Sequence, residues 1–149
     1  MKLHSFSEQE RCFYKIKDLR MIRIPFIIAL IGFLIALYTY LLEKKIKFEP
    51  EFKPLCDISD SVSCTKPMKS KYASLFYFSN ALLAMIFYGL IAIVSFFDAR
   101  LLLTFLSALG CIGSCFFAYI LFFKLKTLCL LCVLMYACNF LIFYESLNR

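Results

Sequence analysis

The sequence is poor in the residues from which most enzyme sites are built. It holds one histidine, His4, and four glycines in 149 residues. His4 falls in a polar N-terminal tail and reads as a solvated residue. A zinc site would therefore need the cysteines alone, and their placement fits redox exchange better than metal binding. The glycines form no phosphate-binding loop. There is no internal repeat and no low-complexity segment. Hydrophobic residues do not alternate with polar ones, which excludes a membrane β-barrel. No cleavable signal peptide is evident, since the first apolar run begins after 23 mostly polar residues and has no small-x-small exit. That run reads as a retained membrane segment.

What the chain has in excess is apolar surface. It is 62% hydrophobic, with a mean hydropathy of +0.80. Four uncharged runs account for this: Ile24–Leu42, Tyr72–Phe97, Leu101–Phe123 and Thr127–Tyr144. A spanning helix takes about 20 apolar residues, so each run is long enough to cross, the last only just. The expectation is an all-α membrane protein with a basic tail at residues 1–23 and one membrane domain at 24–149. Its four helices are placed at about 24–42, 72–97, 101–123 and 127–144, with a long loop at 43–71.

The net charge of +7 is not a nucleic-acid signal. The lysines and arginines sit in short segments beside the apolar runs, where lipid headgroups are their ordinary partners. With four crossings, 8 basic residues fall on the side of the termini and 9 on the other, so charge does not set the orientation. Cysteine placement does. Cys56 and Cys64 lie in the long loop as CDISDSVSC, and Cys129 and Cys132 open the last run as TLCLLC. Both pairs fall on one face of the membrane. Disulfides persist on an oxidising side, so the termini are expected in the cytoplasm.

A thiol pair in each of two elements can pass a disulfide between them, and a membrane offers a lipid-soluble oxidant. A Cys-x-x-Cys at a helix N-terminus favours the thiolate. Helical spacing puts Tyr136 and Asn139 on the face of Cys132. A phenol and an amide can supply the donors that quinone carbonyls need, although both residues also serve as ordinary interhelical contacts. The Cys56–Cys64 segment is rich in Asp and Ser and reads as flexible. Spacing alone leaves a reversible disulfide and a static staple equally open. Cys12, Cys111, Cys115 and Cys138 read as passive, the middle two among small residues that let helices approach. Asn80 is an intramembrane polar residue and so a functional candidate.

From Cys56 to about Asn139 the chain resembles the vitamin K epoxide reductase family, whose bacterial members do the work of the disulfide-bond protein B. The resemblance rests on the Cys-x7-Cys loop, on SKYASLFYFSNALLAMIFY, and on Cys-x-x-Cys followed by Tyr136. It implies a four-transmembrane-helix bundle around a quinone, which would be ubiquinone, menaquinone or vitamin K, and no metal. It implies that Cys56 accepts electrons from a thioredoxin-fold partner and that Cys64 passes them to Cys129. Cys132 then reduces the quinone. Asn80 and Tyr136 match family positions that bond the quinone oxygens, and Ser70 matches a serine near the pocket's cap. Met68 stands where animal members place an aromatic residue, and the segment from Cys64 to Asn80 is short, as in bacterial members. No fused thioredoxin domain follows Arg149, so the partner is expected in trans, in the periplasm or exterior of a bacterium. The alternatives are an epoxide-reducing enzyme of the endoplasmic reticulum and a non-enzymatic membrane protein stapled by two disulfides.

Overall fold

The computed structural model describes residues 3–59, 61–72, 74, 75, 78–97 and 99–148, with side chains from Arg23 onward except those at 73–78. The tail side chains, His4 and Cys12 among them, lie outside the described residues. Helix α1 runs from Leu3 to Phe48, further than its apolar run. Two features carry it past Leu42. Glu43 and Lys47 form an i,i+4 ion pair at 2.8 Å, and Lys45 and Lys47 in the last turn suit the helix's negative end. The loop thus begins at residue 49 rather than 43.

The second apolar run divides. Its first residues are not helical. Ser74–Leu75 (β1) and Phe78–Ser79 (β2) pair antiparallel, a departure from the purely helical reading. Helix α3 then starts at Asn80 and ends at Phe96. Ser79 fixes that start, because its hydroxyl accepts from the Ala81 N–H at 3.2 Å. At about 1.5 Å per residue, its 17 residues reach roughly 25 Å, short of the ~30 Å apolar slab. Among the described residues, three helical segments have full spanning length, Arg23–Phe48, Arg100–Lys124 and Leu130–Leu147, and α3 is the shorter fourth.

Helix α4 (Arg100–Tyr119) widens at its exit into a π-helical turn, Ile120–Lys124. The Leu125 N–H there bonds the Ile120 carbonyl at 3.0 Å. Lys126 follows with φ of 47°, a left-handed conformation that turns the chain sharply. Helix α5 spans Leu130–Leu147, with Cys129 as its N-cap. Between α1 and β1 lies one further short helix, α2 (Thr65–Lys69), whose N-cap is Cys64.

α1 packs on α3 and α5, and α4 closes against α5 and α3. The core joins Ala29 and Ala36 of α1, Tyr88 and Ile91 of α3, Leu103 of α4 and Ile142 of α5. Close approach depends on glycine at two places. A Cβ on Gly32 would sit 2.5 Å from the Tyr88 ring, and one on Gly110 would sit 2.6 Å from Phe87. The Tyr88 hydroxyl donates to the Met135 carbonyl at 2.9 Å, tying α3 to α5. Large apolar side chains cover the outside, Leu34, Ile93, Phe105 and Leu141 among them. That face suits lipid, where association rests on packing and polar contacts between helices. Of the cysteines read as passive, Cys111 and Cys138 are buried, whereas Cys115 is exposed.

Candidate functional site

Cys56 and Cys64 are joined by a disulfide, with Cα atoms 5.8 Å apart. The described residues of the loop carrying them are joined by a set of side-chain hydrogen bonds. Asp57 organises it. One carboxylate oxygen accepts from the Ser63 hydroxyl at 2.8 Å, the Cys64 N–H at 2.7 Å and the Thr65 N–H at 3.1 Å. The other accepts from the Thr65 hydroxyl. Burial pushes the Asp57 carboxyl up, but these hydrogen bonds outweigh it and hold the group below its ordinary value. Asp57 was not singled out from sequence. Its partners lie six to eight residues on, beyond the reach of a local turn pattern.

The same loop is fastened to the segment before α5. Val62 and Leu128 form a parallel β-bridge. The Ser63 N–H donates to the Leu128 carbonyl at 3.1 Å, and the Leu128 N–H donates to Ser61 at 2.8 Å. The Thr127 hydroxyl adds a bond to the Ser61 carbonyl at 3.3 Å. The left-handed turn at Lys126 presents Leu128 for this pairing. The result is one buried cluster in which Cys64 and Cys129, both fully buried, pack with Leu121, against Cys56, Cys132 and Tyr136. The structure therefore brings the two cysteine pairs together.

Cys129 caps α5. Its sulfur accepts from the Cys132 N–H at 3.4 Å and lies 2.7 Å from the Cys132 sulfur. Below it opens a cavity of about 400 Å³, within the range that holds small organic ligands. Its walls are mostly apolar, with Phe87, Phe117 and Leu121 contributing, and Met68 lies at the loop end. Cys129, Cys132, Tyr136, Asn139, Asn80 and Ser70 all line it.

Their polar groups differ in how far they are committed. Asn80 donates to the Tyr72 carbonyl at 2.7 Å, and its buried Oδ1 has no partner among the described residues. Asn139 donates to the Ser114 hydroxyl at 2.7 Å and to the Gly110 carbonyl at 3.4 Å, which makes it a tie between α5 and α4. Its Oδ1 is likewise orphaned. The Ser70 hydroxyl is engaged locally, donating to the Pro67 carbonyl at 2.7 Å and accepting from the Tyr72 N–H at 3.3 Å. Orphaned amide oxygens in an apolar cavity are costly unless a ligand meets them.

Two further polar residues reach the cavity from α1, Thr39 and Glu43. Both are buried. Glu43 accepts from the Ser79 hydroxyl as well as from Lys47. Sequence reasoning placed Glu43 in the loop and so missed it. A lone acid closing an apolar run, four residues before a lysine, was the available sign. Among the described residues, no group of three or more His, Cys, Asp and Glu is arranged to hold a metal.

Comparison with known proteins agrees with this geometry. Residues 23–147 match the model of the vitamin K epoxide reductase family. The chain is 26% identical to vitamin K epoxide reductase complex subunit 1 of Mus musculus over 128 residues, covering 75% of this chain and 80% of that protein. It is 25% identical to the Rattus norvegicus protein of the same name over 133 residues, covering 78% and 83%.

Proposed function

The chain belongs to the vitamin K epoxide reductase family, a family of membrane oxidoreductases, and we propose that it carries electrons from thiols outside the membrane to a quinone held among all four helices. The observation that carries this reading is the β-bridged contact that buries Cys64 beside Cys129 above an apolar cavity. A static pair of staples has no need of that adjacency.

The residues fit a quinone. The cavity walls suit its ring. The Tyr136 hydroxyl and the remaining N–H of Asn80 are donors for its carbonyl oxygens, and the orphaned Asn80 Oδ1 is an acceptor for the hydroxyls of its reduced form. A bound quinone would supply an acceptor for two electrons and two protons. A partner thiolate attacks the Cys56 sulfur and releases Cys64. Cys64 attacks Cys129 of an oxidised Cys129–Cys132 pair, which frees Cys132 beside the cavity. The partner's second thiol then displaces Cys56 and leaves with a disulfide, and Cys56 releases Cys129 by closing on Cys64. The Cys129–Cys132 dithiol re-forms its disulfide by giving up two electrons and two protons. Each exchange needs a thiolate and a reachable sulfur. In this reading the partner is a separate thioredoxin-fold protein, in the bacterial periplasm or exterior, and the termini are cytoplasmic.

The similarity to the mouse and rat proteins supports a second reading, reduction of vitamin K epoxide by the same cysteines. One anaerobic assay separates the two. The detergent-solubilised chain is mixed with a reduced thioredoxin-fold protein and either a ubiquinone or menaquinone analogue or, in a parallel sample, vitamin K epoxide, and the absorbance of each is followed. Quinol formation that Cys132→Ser abolishes is expected. Turnover of vitamin K epoxide without quinol formation selects the second reading, and inert cysteines exclude both.

A further inference from the structure

Glu43 is a carboxylate shut away from water one residue past the apolar run of α1, where burial of a charge is expensive. It is 5% exposed, lies within a spanning segment and lines the cavity. An ionisable group so placed calls for a function. One of its oxygens bonds the Lys47 ammonium at 2.8 Å, and the Lys47 side chain is 65% exposed. The other accepts from the Ser79 hydroxyl. Thr39 lies one turn away on the same face and also lines the cavity. The carboxyl therefore has water at one end, through Lys47, and the cavity at the other.

The Ser79 contact suits a group that changes protonation. A hydroxyl donates and accepts, so Ser79 keeps its bond whether Glu43 is carboxylate or acid. A cation alone would hold only the carboxylate. The titratable groups that share the cavity are Tyr72, Tyr88, Cys129, Cys132 and Tyr136.

We propose that Glu43 is the proton-delivering acid of the cavity, handing a proton to a quinone oxygen as the cysteine pair is oxidised. The proposal rests on the reading of the site as a quinone reductase. The balance is two thiols and one quinone giving one disulfide and one quinol. The Glu43 carboxyl gives its proton to one quinone oxygen, and one thiol proton goes to the other. The resulting Glu43 carboxylate is reprotonated from water at the Lys47 end, and the second thiol proton leaves to the same pool.

The test is reaction-induced infrared difference spectroscopy on the full chain in detergent, with ubiquinone-1 as the acceptor and dithiothreitol as the reductant. A carboxyl C=O band that changes on reduction and shifts on isotopic labelling of the glutamate carboxyls is expected in the parent, and should be missing in Glu43→Gln. Glu43→Gln should also lower kcat by about 100-fold, the lower end for general acid catalysis, with KM changed less than about twofold. Glu43→Asp should recover part of kcat. A band that does not respond to the label, a band that persists in Glu43→Gln, or an effect confined to KM would overturn the proposal without touching the quinone reading. The labelling experiment needs no substitution, so a variant that misfolds does not spare the idea. A parent protein that forms no quinol overturns the underlying reading, and the proposal with it.

Discussion

Val62 and Leu128 are paired in a parallel β-bridge, and Cys64 and Cys129 follow them by two residues and one. That register brings a loop cysteine and a helix-capping cysteine into one buried cluster. Leu128→Pro removes the N–H that bonds Ser61 at 2.8 Å. Disulfide transfer between the two pairs should slow by at least about 5-fold, the equivalent of one net hydrogen bond of about 1 kcal/mol. Each pair should still oxidise by itself. Quenched alkylation and mass analysis after a pulse of reductant would read both. An undiminished transfer rate would show that the bridge does not govern the approach.

Asp57→Asn should loosen the loop. The carboxylate accepts four hydrogen bonds from Ser63, Cys64 and Thr65. Because the group is partly solvated, the cost should be on the order of 1 kcal/mol after solvent screening. The folded-state carboxyl lies below its ordinary value of 3.8. The unfolded chain therefore binds more protons in that interval, and stability rises with pH across it. The contribution should be fully present above pH 3.8 and fade as pH falls through the folded value. Urea melts of parent and variant between neutral and acid pH would show the difference shrinking at low pH. A constant difference would mean that the charge is not the source.

Asn80→Ala and Tyr136→Phe each remove one polar group from the cavity. Loss of a hydrogen bond worth about 1–1.5 kcal/mol weakens binding about 10-fold, so quinone KM should rise by that much in each variant. Folding should be less affected by Tyr136→Phe, since Asn80 also holds the Tyr72 carbonyl at 2.7 Å. Ser70→Ala should change KM little, because that hydroxyl is spent on its own turn. Steady-state kinetics against quinone concentration would decide, and unchanged KM in both leading variants would reduce them to packing residues.

Gly32→Ala should destabilise the bundle without altering the cysteines. The added Cβ meets the Tyr88 ring at 2.5 Å, and that ring is held by its bond to Met135. Overpacking of this kind costs about 1–3 kcal/mol. Gly113→Ala is the matched control, since a Cβ there meets nothing within 4 Å. Equal thermal stability of the two variants would contradict the packing account.

Much of the architecture was legible because apolar length and cysteine spacing are strong signals. Four uncharged runs announced four apolar helices, and Cys129-x-x-Cys132 marked the start of the last one. The site was legible where residues share a helix. Cys132, Tyr136 and Asn139 follow one stripe on α5 and all reach the cavity. What stayed hidden depends on contacts between distant segments. The Asp57 clamp, the Val62–Leu128 bridge and the Glu43–Ser79 bond leave no periodicity to read. The start of α3 was misplaced by eight residues, at 72 rather than Asn80, because hydropathy does not distinguish a short apolar hairpin from a helix. Asn139 was held open as a quinone ligand, and its bonds to Ser114 and Gly110 give it an interhelical task as well.

The half-buried Cys56 stands before two sulfurs, Cys64 and Cys129, that solvent does not touch. This makes the loop a one-door vestibule. Of these three sulfurs a dissolved thiol reaches Cys56 first, and Cys64 and Cys129 behind it are shielded from short circuits with the surroundings. Under the proposed relay, selectivity toward the electron donor would be decided at the threshold, by the shape that fits around Cys56, and the interior would need no discrimination of its own.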